Sequence, residues 1–273
     1  MAAKTLKTFL IRDGILLEIL ATVPENPKTY LVVWPCMGGV VQLYRVPVEN
    51  FTAHDCVCIL YNPRGHGRSG GEMEIQAMSN DLEEIIRACV PSETPLIMVA
   101  HSAGANACLQ FAARYRPPEQ FVLVAPVLDS RESLFSMYQR KTISEFVDVL
   151  CMYTRDDTIP RRVLADEKWL DTDVWKSNSY RQMLDEVPAR IHLGAFLENL
   201  FLPGHNAFKE LEKFAGRTRI FVTKDDTWYP VATTRGLADR FGIPIETMPE
   251  AQNHFFAGAW DRVWTEVLRL IHP

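Results

Sequence analysis

The sequence predicts an α/β architecture: a mostly parallel central sheet flanked by helices, with one helical insertion. Three observations predict it. Short, uninterrupted apolar runs recur along the chain, as strands buried on both faces require. Segments with helical spacing separate them, and such alternation is the pattern of a parallel sheet. One interval, residues 131–205, breaks the rhythm and is too long for a simple loop. The 273 residues, 47% hydrophobic and 23% charged, suffice for one large domain or two small ones.

Taken in order, TFLI (8–11) and ILLEILAT (15–22) read as two strands around the turn Arg12-Asp13-Gly14. YLVVW (30–34) and VCILY (57–61) are buried parallel strands. Ser79 or Asn80 is expected to cap a helix through DLEEIIRAC, with acidic residues in its first turn. LIMVA (96–100) and FVLVA (121–125) are two further buried strands. Between them ANACLQFAARY has helical spacing and is stopped by Pro117-Pro118. Residues 131–205 hold helix-like pieces such as ISEFVDVLCMY and SYRQMLDEV, many charges and scattered aromatics. They are expected to form a helical cap over a core of residues 1–130 and 206–273. RIFVT (219–223) and PIETM (244–248) are the last strands. In the closing helix Trp260, Val263, Trp264, Val267, Leu268 and Ile271 share one face.

Two serines compete for a chemical role. GRSGG (67–71) matches the pattern G-x-S-x-G literally, whereas AHSAG (100–104) has Ala100 where the first glycine would stand. A nucleophilic serine on an elbow needs a strand that runs straight into a tight turn opening into a helix. Ser69 lacks this: NPRGHG separates it from its strand, and GEMEIQAM after it has no immediate helical pattern. Ser102 has it, because LIMVA leads directly into HSAG and the helix follows at once. The competing reading of Ser102 is a capping serine at an ordinary strand-to-helix turn.

Other segments weigh for the elbow. WPCMGG (34–39), NPRGHGRSGG (62–71), AHSAG, DDTWYP (225–230) and QNHFF (252–256) occur in that order. Together they resemble the α/β-hydrolase superfamily over nearly the whole chain. WPCMGG stands where that family has its His-Gly oxyanion loop. NPRGHGRSGG looks like its D-x-R-G-x-G-x-S loop, with Asn62 in place of aspartate, which makes GRSGG the tail of a structural loop. The insertion resembles the lid of the monoacylglycerol-lipase and serine-aminopeptidase-like branch.

The resemblance implies a chemistry. A serine hydroxyl needs a neighbouring base. Of the seven histidines, His254 alone lies on the loop between the last strand and the last helix. A buried acid must orient that base. Asp226 matches the family's D-x-x-x-P spacing to Pro230; Asp225 is the alternative and Asp129 a more remote one. The oxyanion hole should combine the backbone N–H of Ala103 with one from WPCMGG: Met37 if the glycines are aligned, Cys36 if the strand end is. Pro35 has no N–H to give. The expectation is a serine hydrolase that cleaves a carboxylic ester or thioester through Ser102, Asp226 and His254. Acyl transfer, cyclisation, lyase or C–C cleavage by the same residues is the alternative, and a non-catalytic binding protein on the same fold is a third reading.

The partner expected is a small-molecule acyl substrate. Aromatic residues of the insertion, among them Phe135, Tyr138, Trp169 and Phe201, are candidate pocket walls or simply its packing onto the core. No metal or organic cofactor is implied. A net charge of −5 without basic runs argues against nucleic acid. No apolar stretch is long enough to span a membrane, and the N-terminal residues lack a secretory pattern, so a cytoplasmic protein is expected. The six cysteines form no C-x-x-C pair and read as buried reduced thiols.

Overall fold

The apolar runs become an eight-stranded sheet of order β1-β2-β4-β3-β5-β6-β7-β8. The structure, a computed structural model, describes residues 3–36, 39–139, 207–226 and 228–271. The first hairpin joins β1 (Lys4–Arg12) to β2 (Ile15–Val23). Its two-residue turn places Asp13 and Gly14 at φ 48° and 78°, the left-handed pair that fits the twist of a tight hairpin. β2 pairs antiparallel with β4 (Cys56–Tyr61). From there β3 (Thr29–Trp34), β5 (Leu96–His101), β6 (Gln120–Val124), β7 (Thr218–Val222) and β8 (Ile245–Thr247) all run parallel.

Alternation along each strand sends side chains to two cores. Val32, Trp34, Met98, Ala100 and Phe121 pack on one face with α2 (Ile75–Cys89) and α3 (Gly104–Arg114). Leu31, Val33, Ile97, Val99 and Val122 pack on the other with α7 (Trp260–Ile271) and with Phe51 of α1 (Val48–Thr52). The predicted stripe of α7 holds: Val263, Trp264 and Val267 are fully buried, with Trp260, Leu268 and Ile271 against them. Truncating an aromatic as buried as Trp264 costs about 3–5 kcal/mol. The remaining described helices are α4 (Ser130–Gln139), α5 (Phe208–Lys213) and α6 (Val231–Phe241).

Two boundaries differ from the sequence expectation, and the first is that β1 begins at Lys4, four residues before TFLI. α2 starts at Ile75, with Glu74 as its extended N-cap residue, so Ser79 and Asn80 sit inside the helix. Met78 and Leu82 are buried in the core; the apolar stripe therefore begins before the cap-like residues. The described cysteines are free, four buried and Cys89 half-buried; Cys151 lies outside the described residues. Of the expected insertion, residues 131–139 extend α4, and its other residues lie outside the described ones. Among the described residues no helix is long and apolar enough to cross a membrane.

The strand order reverses at β3 and β5: the chain passes from β3 out to β4, then back to β5 on the other side. The carboxyl ends of strands beside such a reversal form a crevice that open α/β sheets use for ligands. Ser102 lies at the end of β5.

Candidate active site

β5 runs without a break into a turn at Ser102, whose φ is 57°. That left-handed conformation is costly for a residue with a Cβ, by about 1–3 kcal/mol, and persists only where the surroundings impose it. Here they do. Ser102 N–H still donates to the Val124 carbonyl of β6 (3.0 Å), while its own carbonyl accepts from Ala105 and Val127 (3.1 Å each). Gly104 opens α3 in close quarters: a Cβ there would collide with the Trp34 ring and stand 2.5 Å from the Pro35 carbonyl oxygen. The second glycine of the elbow pattern is thus required by β3 packing. The first is not, and buried Ala100 fills its place between β3 and β6.

The structure brings Ser102, His254 and Asp226 together. Ser102 Oγ lies 2.7 Å from His254 Nε2, and His254 Nδ1 lies 2.7 Å from Asp226 Oδ2. All three are buried. A carboxylate accepts only, so Nδ1 carries the imidazole proton and Nε2 is left to accept from the serine hydroxyl. The other Asp226 oxygen accepts the backbone N–H groups of Trp228 (2.8 Å) and Tyr229 (3.0 Å). The loop after β7 thereby orients the acid. The Trp228 indole stacks on the His254 imidazole, 9° from parallel at 5.3 Å. A hydroxyl so placed can pass its proton to the imidazole, and the buried carboxylate then stabilises the imidazolium.

The alternatives lie elsewhere. Asp225 is exposed. Asp129 pairs with Arg131, 2.9 Å from its Nη2. Ser69 is buried, and its hydroxyl is bonded to backbone rather than to an imidazole: its Oγ accepts the Glu18 N–H (2.8 Å) and donates to the Asn62 carbonyl (2.5 Å). Asn62 also explains its departure from the aspartate of the resembled loop. Its amide donates to the fully buried Glu18 carboxylate (2.8 Å), and its carbonyl oxygen accepts from Val41 N–H (2.9 Å). An aspartate there would face a second buried carboxyl, an arrangement that like-charge repulsion disfavours unless one of the two holds a proton.

Of the oxyanion candidates, Ala103 is the residue just before α3, where backbone N–H groups point outward and the helix dipole favours negative charge. Met37 lies outside the described residues. Cys36 is engaged elsewhere: its N–H donates to Tyr44 Oη at 2.6 Å. A narrow cleft beside the elbow is lined by Trp34, Cys36, Pro63, His66, Met78 and Ala103. His66 there is buried, which lowers its pKa to about 4 against the opposing hydrogen bond to the Arg64 carbonyl.

Sequence reasoning overlooked two side chains at this site. Tyr44 comes from the short 3₁₀ turn Val41–Tyr44 after β3, and nothing in its local sequence marks it. Trp228 lies inside DDTWYP, where its spacing two residues after Asp226 was the available signal.

The sequence model of the family described as "Serine aminopeptidase, S33" matches residues 25–256. No curated protein matches the sequence. Among solved structures, an α/β-hydrolase from Penicillium sp. sh18 is 15% identical, with 99% of this chain and 98% of that one covered and a TM-score of 0.66. An esterase from Exiguobacterium antarcticum is 13% identical over 98% of this chain and 100% of that one, with a TM-score of 0.68. A soluble variant of monoglyceride lipase from Saccharomyces cerevisiae, in complex with a substrate analog, is 14% identical over 97% and 94%, with a TM-score of 0.62. These likenesses concern the fold.

Proposed function

The chain belongs to the serine aminopeptidase, S33 family of α/β-hydrolases, and from that membership we propose that it hydrolyses a carboxylic ester or thioester through an acyl-enzyme on Ser102. The observation that carries this reading is the continuous hydrogen-bonded line from Ser102 Oγ to His254 to Asp226, 2.7 Å at each step. Esterase and monoglyceride lipase among the structures of like fold agree with it.

In the first half-reaction Ser102 Oγ attacks the acyl carbonyl carbon as its proton passes to His254 Nε2. Asp226 holds the imidazole in the tautomer that can accept this proton and stabilises the resulting cation. The carbonyl oxygen becomes an oxyanion held by backbone N–H groups. We assign these to Ala103 and Met37, because the Cys36 N–H is committed to Tyr44. The carbon–heteroatom bond then breaks, and His254 returns the proton to the departing alcohol or thiol. In the second half-reaction water gives a proton to His254 and attacks the acyl carbon. Ser102 leaves with that proton, and the carboxylic acid is released.

The test is a chain-length panel of p-nitrophenyl esters and acyl thioesters, run with wild type and Ser102→Ala. The reading expects turnover by wild type and its loss in the variant. Activity that survives in Ser102→Ala would contradict it.

A further inference from the structure

His101 precedes the elbow serine and sits between two loops. Its Nε2 lies 2.8 Å from the His254 backbone carbonyl, and its Nδ1 lies 2.8 Å from Tyr44 Oη. Tyr44 Oη in turn accepts the Cys36 N–H at 2.6 Å. The two ends fix every proton in this chain. An amide N–H only donates and a backbone carbonyl only accepts. Tyr44 must therefore use its own proton toward His101 Nδ1, and His101 must carry its proton on Nε2.

We propose that Tyr44 and His101 are positioning residues: a buried relay with a single proton order that fastens the loop carrying Cys36 to the loop carrying His254 across the elbow. It rests on the reading of Ser102 and His254 given above. Several contacts hold the relay itself rigid. Tyr44 packs edge-on against Trp260 (4.5 Å between ring centres), and its backbone carbonyl accepts the Trp264 indole N–H at 2.8 Å. His101 meets Trp260 edge-on at 5.4 Å. The relay works only with neutral His101, and burial lowers the pKa of that imidazole to about 3, helped by neighbouring His254. A shift of the loop that carries His254 would move its imidazole relative to Ser102, and misplacement of that kind acts on kcat. The relay also commits the Cys36 N–H to Tyr44.

Tyr44→Phe removes one hydroxyl and keeps both the ring contact with Trp260 and the carbonyl that holds Trp264. His101→Phe breaks the same relay one bond further on. With p-nitrophenyl butyrate as the probe, kcat is expected to fall about fivefold or more in Tyr44→Phe with KM little changed, and the double variant to be no worse than the poorer single one. In proton NMR the downfield His254 Nδ1–H resonance should shift or broaden, while the Trp264 indole resonance stays in place. If His101→Phe does not fold, Tyr44→Phe decides by itself. A smaller loss of kcat in Tyr44→Phe, or a loss carried by KM alone, overturns the relay. Ser102→Ala runs alongside: if it is inactive, failure of Tyr44→Phe to slow turnover counts against the relay only, and if it is active the underlying reading fails instead.

Discussion

Ser69 and Ser102 stand in near-identical sequence patterns and are similarly buried, 3% and 6% exposed, yet their hydroxyls meet different partners. The Ser69 hydroxyl is used up by backbone: it takes the Glu18 N–H and gives its proton to the Asn62 carbonyl. The Ser102 hydroxyl meets an imidazole lone pair. Backbone conformation separates them as well. Ser102 is held at φ 57°, in line with strand and helix, whereas Ser69 belongs to a loop that braces β2 against the end of β4. A pentapeptide pattern records small residues around a serine. What the serine does is decided by which element arrives before it and which leaves after it.

Each region is open to changes that should affect it alone. The largest effect is expected at the acid behind Ser102. Asp226→Asn keeps the shape but favours the wrong imidazole tautomer, so kcat on p-nitrophenyl esters should fall about 10³-fold or more. Asp225→Asn, one residue away and exposed, should change it less than about twofold. Equal losses would mean that the carboxylate contact to His254 is not what matters.

The terminal glycines of the two patterns come next. A Cβ at Gly104 meets the Trp34 ring and the Pro35 backbone, neither of which can yield; one at Gly71 meets chiefly the flexible end of Ile15, 2.9 Å away, at a φ of 74°. Gly104→Ala should cost about 3 kcal/mol and slow labelling of Ser102 by a fluorophosphonate. Gly71→Ala should cost about 1–2 kcal/mol and leave labelling intact. Urea unfolding of both variants checks the order.

Each serine region also holds a buried neutral histidine, His101 beside Ser102 and His66 in the loop before Ser69. Burial lowers them from 6.5 to about 3 and about 4. The unfolded chain takes up protons below pH 6.5, while the folded one does not until those lower values. Stability should therefore be intact above pH 6.5 and be lost as pH falls below it. The loss is about 2 kcal/mol per histidine by pH 5. Between pH 6.5 and 5 the wild type should show a slope about one proton steeper than His66→Phe; equal slopes would show that His66 is not held neutral. The smallest effect is expected for Ser69→Ala, about 1–2 kcal/mol of stability from two lost hydrogen bonds, with kcat unchanged.

Much of this was legible in the sequence, for physical reasons. Parallel strands buried on both faces must be continuous apolar runs, so β3 to β7 could be read within a residue or two. The strand-to-helix context picked out the serine that lies against His254. The start of α2 was missed because Ser79 and Asn80 look like caps, while the buried stripe that holds the helix begins before them. Asn62 looked like a bare departure from the resembled loop until Glu18, 44 residues away, proved to be its partner. Tyr44 was invisible for the same reason: its bond to His101 spans 57 residues. Local pattern reveals elements and tight turns. Hydrogen bonds between distant loops leave no trace in it.

The most direct measurement treats wild type, Ser102→Ala and Ser69→Ala with a fluorophosphonate and maps the adduct by peptide mass spectrometry. The account predicts one adduct, on Ser102, lost in Ser102→Ala and kept in Ser69→Ala. An adduct on Ser69, or none on the folded wild-type protein, would contradict it.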